Sequence, residues 1–171
     1  MSACLVLMRH GKSAWETGAK SDFERPLAPR GERDTPRIAR WLRSQVKGPF
    51  HIVSSPALRA RQTAVLVAKE LGVDPDEVDW RRDIYDATVQ ELLSMLAATV
   101  SPNETTVLIG HNPGLEELAT YLVDPKGLSE EPKLLPTSAA ICMELPPGWA
   151  ELRQGQCRVI AQMRPRWLKG E

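Results

Sequence analysis

Cysteine, histidine and aromatic residues are all scarce in this chain, and each scarcity excludes something. The three cysteines, Cys4, Cys142 and Cys157, form an odd set without the close spacing of a zinc or redox motif. They are expected as reduced core residues of a cytoplasmic protein. Net charge is missing too, since 22 lysines and arginines balance 22 aspartates and glutamates. No global field therefore draws the chain to nucleic acid or to an anionic membrane, and any anion site has to be local. Long apolar runs are also wanting. The run from Cys4 to Met8 is shorter than a secretory h-region and has no basic segment before it, so no signal peptide is expected. Nothing approaches the ~20 apolar residues that span a bilayer.

What is present is a 171-residue chain, 42% hydrophobic, which suffices for one core of ordinary size. A single domain covering residues 1–171 is expected. Short apolar runs at Cys4 to Met8, His51 to Ser54, Thr106 to Ile109, Ala139 to Leu145 and Arg158 to Met163 read as strands. Helical patterns lie between the earlier ones, with Ala60, Ala64, Val67 and Leu71 on one face, and with Leu115, Leu118, Ala119 and Leu122 on another. This alternation predicts an α/β fold, a three-layer α/β/α domain with a mixed, mostly parallel sheet. The last two strands are joined by a turn with Pro146, Pro147 and Gly148, which makes that part antiparallel.

Helix starts are legible. Ser55 before Pro56, and Asn112 before Pro113, each place a capping side chain ahead of a proline at the first helical position. Thr88 with Glu91 forms a capping box ahead of the stripe Val89, Leu92, Leu93, Leu96. Pro29 to Val46 has helical periodicity, with Ile38, Trp41 and Leu42 inward, and Pro36 is expected to interrupt it or begin its regular part. Asp124 to Pro136, with three prolines and a glycine, is expected as a surface loop that could flap over a site.

Two of the three histidines stand at equivalent strand exits: His10 in Arg9-His10-Gly11, and His111 after Gly110. Taken singly, each could cap a strand or satisfy a loop carbonyl. Taken together, with two helix starts nearby, they suit a phosphoryl group above the strand ends. His10 can attack phosphorus through one ring nitrogen while the other, as a hydrogen-bond donor, fixes the tautomer. Arg9 and Arg59 can offer planar forks to the phosphoryl oxygens. His111 fits as a second, protonated histidine, kept charged by the phosphate because a cationic pocket by itself depresses its pKa. Helix N-termini after Ser55 and Asn112 would add amide donors. His51 lacks such partners and is assigned to structure. No ligand cluster calls for a metal, and no cofactor is expected.

The run Leu7 to Ser13 resembles the signature of the histidine phosphatase superfamily, the group that includes phosphoglycerate mutases and many phosphatases. The likeness extends through Arg25-Pro26-Leu27 with Arg30 and Gly31, through Ser54 to Thr63, and through Gly110 to Pro113. It implies a phosphoglycerate mutase-like fold, a phosphohistidine intermediate on His10, and a phosphate pocket completed by Arg9, Arg59 and His111. Gly11, Ser13 and Asn112 are expected at the substrate. Short length, the Arg25 to Leu27 element and the proline-bearing end around Arg164 to Leu168 make the chain similar to the SixA-like phosphohistidine phosphatases. Larger insertions over the site, which mutases of this superfamily carry, are missing.

The departure lies in the proton donor. Larger members carry a glutamate where this chain has Ile84-Tyr85-Asp86, so Asp86 is the candidate acid, with Asp83 behind it; either could be an ordinary loop carboxylate. An imidazole leaving group can depart neutral if already protonated, whereas an alkoxide needs a proton during cleavage. The expected activity is metal-independent hydrolysis of phosphohistidine in a partner protein. A phosphatase of small esters, such as sugar or glycerate phosphates, and a non-catalytic phosphate-recognition module are the alternatives. Trp15 and Trp149 could rim the opening, and the Lys20 to Arg25 loop could meet a partner.

Overall fold

The computed structural model describes residues 3–15 and 17–168. Six strands form one sheet: β1 (Ala3–Arg9), β2 (Phe50–Ser54), β3 (Asp79–Trp80), β4 (Thr105–Gly110), β5 (Ala140–Leu145) and β6 (Arg158–Met163), in the order β3-β2-β4-β1-β5-β6. The first four are mutually parallel, while β5 runs antiparallel to both β1 and β6. The four α-helices among the described residues are α1 (Pro29–Gln45), α2 (Leu58–Leu71), α3 (Val89–Thr99) and α4 (Gly114–Leu122).

Strand side chains alternate between two buried clusters. Leu5 and Leu7 of β1, with Leu108 of β4, face α3 and α4. Val6 and Met8, with Val107 and Ile109, face α1 and α2. The sheet is thus the middle of three layers, a mixed and mostly parallel α/β fold of the expected kind. Five strands fall where the apolar runs are. The two-residue β3 at the edge is missed by periodicity, because two residues carry no period.

Helix starts bring two corrections. α2 begins at Leu58, not Pro56, and its N-cap Ala57 makes no side-chain cap. Ser55 Oγ does accept from the Ala57 amide at 3.2 Å, but inside a turn that precedes the helix. α4 begins at Gly114 with Pro113 in the cap position, because the Asn112 side chain is spent elsewhere, on the carbonyl of Leu135 at 2.8 Å. The capping box at Thr88 and Glu91 is present in full. Pro36 neither starts nor breaks α1, which runs from Pro29 through it. Burial of Ile38, Ala39 and Leu42 just beyond it outweighs the lost backbone bond.

Parallel register positions the site. Arg9 pairs with Gly110, and the His10 amide donates to the Gly110 carbonyl at 3.1 Å. His10 and His111 therefore leave neighbouring strands side by side. Helix α1 follows β1 onto one face and α4 follows β4 onto the other, so the two strand ends open on a crevice where the connections diverge. None of the helices among the described residues is long and apolar enough to cross a membrane.

Candidate active site

His10 is only 5% exposed. Its Nδ1 donates to the carbonyl of Gly11 at 2.7 Å, an acceptor that can only receive. This places the proton on Nδ1 and leaves the lone pair on Nε2. Arg59 Nε lies 3.4 Å from that nitrogen, a long contact. The His10 and His111 rings stand 5.1 Å apart between centroids. His111 Nε2 hydrogen-bonds Ser55 Oγ at 2.8 Å, while its Nδ1 is buried without a partner among the described residues. Arg9 donates through Nη1 to Leu135 O at 3.3 Å, and its Nε is likewise buried and unpartnered.

The terminal nitrogens of Arg59 are both taken by Asp22. Nη1 donates to its carbonyl at 2.7 Å and Nη2 to its carboxylate at 2.9 Å. Tyr85 donates its hydroxyl to the same carboxylate oxygen at 2.8 Å, and Arg25 Nε reaches the other oxygen at 3.1 Å. The Tyr85 ring meets His111 and Phe23 edge-on, with centroids 5.3 and 5.1 Å away. A short turn, Asp22–Glu24, carries this carboxylate over the pocket. The Tyr85 hydroxyl first, then Arg59 and Arg25, pull the Asp22 carboxyl down to about 2, so it is ionised at any ordinary pH.

Both histidines are pushed the other way. Burial lowers His10 well below its usual value, and the cations Arg59 and Arg9 add to this. His111 is lowered to about 4, by burial first and Arg59 second. The cationic pocket thus acts in the expected direction, but desolvation is the larger cause. Two neutral imidazoles flanked by two guanidiniums make a pocket that attracts an anion and offers a lone pair on His10 Nε2, engaged only by the long contact from Arg59 Nε.

A family model described as "Histidine phosphatase superfamily (branch 1)" matches residues 5–92, just over half of the chain. An uncharacterized protein of Mycobacterium tuberculosis is 31% identical over 168 residues, covering 93% of this chain and all of the relative. Among solved structures, a putative phosphohistidine phosphatase SixA from Nakamurella multipartitia superposes with a TM-score of 0.82 at 27% identity, over 96% of this chain and 97% of that one. A protein histidine phosphatase SixA complexed with tungstate gives 0.78 at 27% identity, over 97% and 99%. The chain belongs to the histidine phosphatase superfamily. It is a phosphatase of the SixA-like branch.

In this histidine phosphatase the sequence-derived residues Arg9, His10, Arg59 and His111 converge on one pocket. Other expectations fare differently. The amide of Gly11 is not free for a substrate, because it donates to Thr63 Oγ1 at 2.9 Å. A side chain at Gly11 would come within 2.8 Å of Thr35 Oγ1, so the glycine serves close packing. Ser13 Oγ accepts from Arg25 Nη1 at 2.9 Å. Asn112 bonds Leu135 and keeps its Oδ1 buried and unpartnered among the described residues.

Asp86 is exposed, has φ +56°, and lines a cavity of about 250 Å³ with His111 and Asn112. Among the described residues, the hydrogen-bonded set around His10 does not include it. Asp83 turns away to an ion pair with Arg81 at 2.9 Å. His51 lies near Asp79 at 3.8 Å, at a remove consistent with structure. Trp149 packs against the core rather than rimming the site, whereas Trp15 is 73% exposed under the Arg25 guanidinium, 3.7 Å from its ring centre. The end of the Asp124 to Pro136 loop braces the site through the Leu135 carbonyl, which holds both Arg9 and Asn112.

Asp22, Tyr85, Thr63 and Ser55 as a histidine partner were missed. Asp22 lies three residues before Arg25-Pro26-Leu27 and Tyr85 lies beside Asp86, but no period or spacing aims either side chain at Arg59 or His111. Thr63 closes the Ser54 to Thr63 run, where a polar side chain one turn after Arg59 is the available signal.

Proposed function

We propose that this phosphatase hydrolyses phosphohistidine in a partner protein, with His10 as the nucleophile. The observation that carries the reading is that Asp22, the carboxylate seated on the Arg59 fork, is pinned in its ionised form and cannot donate a proton. A phosphate ester would need such a proton on its alkoxide. A phosphohistidine does not, once its other ring nitrogen is protonated.

The steps balance without an added acid. His10 Nε2 attacks phosphorus, the bond from phosphorus to the substrate nitrogen breaks, and the protonated imidazole leaves as a neutral one. The phosphorylated His10 ring keeps its Nδ1 proton and carries a positive charge, which the Gly11 carbonyl at 2.7 Å stabilises. Water then attacks phosphorus, the Nε2 bond breaks with its electron pair returning to His10, and both water protons leave with the phosphate as dihydrogen phosphate. Arg9, Arg59 and a His111 protonated against the phosphate hold the charge that spreads over the oxygens. An incoming phosphoryl group meets one competitor, Asp22, already seated on the Arg59 fork. Asp22 must yield Nη1 and Nη2 for a bidentate grip.

The test is turnover with chelator present, comparing a phosphohistidine protein, a phosphohistidine peptide and a panel of small phosphate esters, with His10→Ala as the blank. Phosphoramidates should be hydrolysed at least about a hundredfold faster, and rapid quenching should trap phosphate on His10. His10→Ala should lose turnover while still binding tungstate. A second reading rests on the cavity that Asp86 shares with His111: if small esters are preferred and Asp86→Asn abolishes their hydrolysis, the enzyme acts on small phosphates.

A further inference from the structure

A second cavity, of about 630 Å³, is lined in part by Lys133, Pro136 and Thr137, which flank the segment that braces the site. Six of its lining residues are cations, against two carboxylates, Asp34 and Glu131, in a chain whose charges sum to zero overall. Both carboxylates are already committed. Asp34 is buried between Arg33 and Arg37 at 3.2 Å from each, and Glu131 pairs with Arg166. Among the described residues Arg30 and Lys133 have no carboxylate partner, and both are exposed. Arg164, 5% exposed, holds its place by donating to the Leu134 carbonyl at 3.3 Å.

Leu134 and Leu135 are consecutive, and the next carbonyl in the chain is the one that receives Arg9. Successive Cα atoms are ~3.8 Å apart, so the Arg9 and Arg164 guanidiniums stand within roughly 12 Å of one another, a span that an extended peptide covers in about four residues. A polypeptide with a phosphorylated side chain at His10 can therefore reach this basic groove within about four residues.

We propose that the groove is a docking site for an acidic segment adjoining the phosphohistidine of the substrate protein. The inference rests on the function proposed above and adds the partner's local charge. Carboxylates of such a segment replace the missing counter-ions of Arg30 and Lys133. Because both are exposed, they act mainly on encounter, with a dependence on ionic strength.

The experiment uses two synthetic peptides with one phosphohistidine each, identical except that one carries glutamates and the other glutamines beside it. The enzyme is compared with the double variant Arg30→Glu, Lys133→Glu. Glutamate near the start of a helix suits the dipole of α1, and Lys133 lies in a loop, so folding is not at stake; a matching Tm verifies this. The wild type should favour the glutamate peptide in kcat/KM by about tenfold or more at low salt, the lower end of electrostatic steering. That preference should vanish in the variant and in high salt, while kcat/KM for the glutamine peptide changes less than about twofold.

Equal preference in wild type and variant overturns the groove while leaving the proposed function standing. No wild-type turnover of either peptide, with small esters hydrolysed, overturns both. Tripolyphosphate that alters small-ester turnover in the wild type and not in the variant would reassign the groove to a free polyanion, and the docking proposal would fall.

Discussion

At the scale of single residues, the site holds two opposed electrostatic tasks. Burial and neighbouring cations keep His10 and His111 neutral, and the same cations need an anion for company. Asp22 supplies one from within the chain, with about half of its side chain exposed. Solvent screening limits the value of that ion pair to about 1 kcal/mol, which is a factor of about five in affinity for anything that competes with it. Asp22→Asn keeps the size of the side chain and the Tyr85 contact but removes the charge. Its inhibition constant for tungstate should fall by about fivefold, since the anion no longer displaces a carboxylate from Arg59. A weaker affinity in this variant would show that Asp22 orients Arg59 for the anion rather than competing with it.

At the scale of elements, the loop that carries His10 is clamped between two helices, and small residues make the clamp possible. A Cβ on Gly31, in the first turn of α1, would lie 2.4 Å from the carbonyl oxygen of Lys12 and 2.9 Å from its amide nitrogen. On the other side, Thr63 of α2 binds the Gly11 amide and Gln62 binds the Leu27 amide. Gly31→Ala gains helix propensity worth up to about 1 kcal/mol, but the obstacle is rigid backbone, and overpacking of this kind costs about 1–3 kcal/mol. The clash should win, lowering the urea midpoint and, because Lys12 is two residues from His10, lowering kcat as well. The sequence made much of this level readable. Apolar runs of Val, Leu and Ile gave five strands, and the Thr88 capping box gave a helix start, because both depend on neighbours a few residues apart. Pro36 misled because a penalty at one position was outweighed by packing at Ile38 and Leu42 that no local pattern reports. His10 and His111 were recognisable from their motifs, but their adjacency follows from the β1–β4 register. That Asp22 reaches Arg59, while the candidate acids Asp86 and Asp83 stay outside that set, was not legible, since which carboxylate reaches the pocket depends on how two loops fold over it.

For the whole molecule, the buried neutral histidines set a dependence of stability on pH. His111 has a folded-state pKa of about 4 against about 6.5 for an unfolded histidine, and His10 is displaced in the same direction. Below 6.5 the unfolded chain takes up protons that the native protein refuses, so the unfolded state is favoured as pH falls, and the loss from His111 is complete near pH 4. The shift amounts to about 3 kcal/mol for His111 over that window. Urea midpoints should therefore drop steadily between pH 6.5 and 4, and His111→Gln should flatten part of the slope; a flat wild-type profile would contradict the burial of both rings as neutral groups. Binding of a dianion reverses the balance at His111, because its charge offsets the desolvation and the repulsion from Arg59. Tungstate binding near pH 6 should then be accompanied by uptake of up to about one proton, seen as a dependence of the calorimetric binding enthalpy on the ionisation enthalpy of the buffer. Loss of that uptake in His111→Gln, with binding retained, would assign the proton to His111 and join the stability profile and the phosphate grip to a single titrating ring.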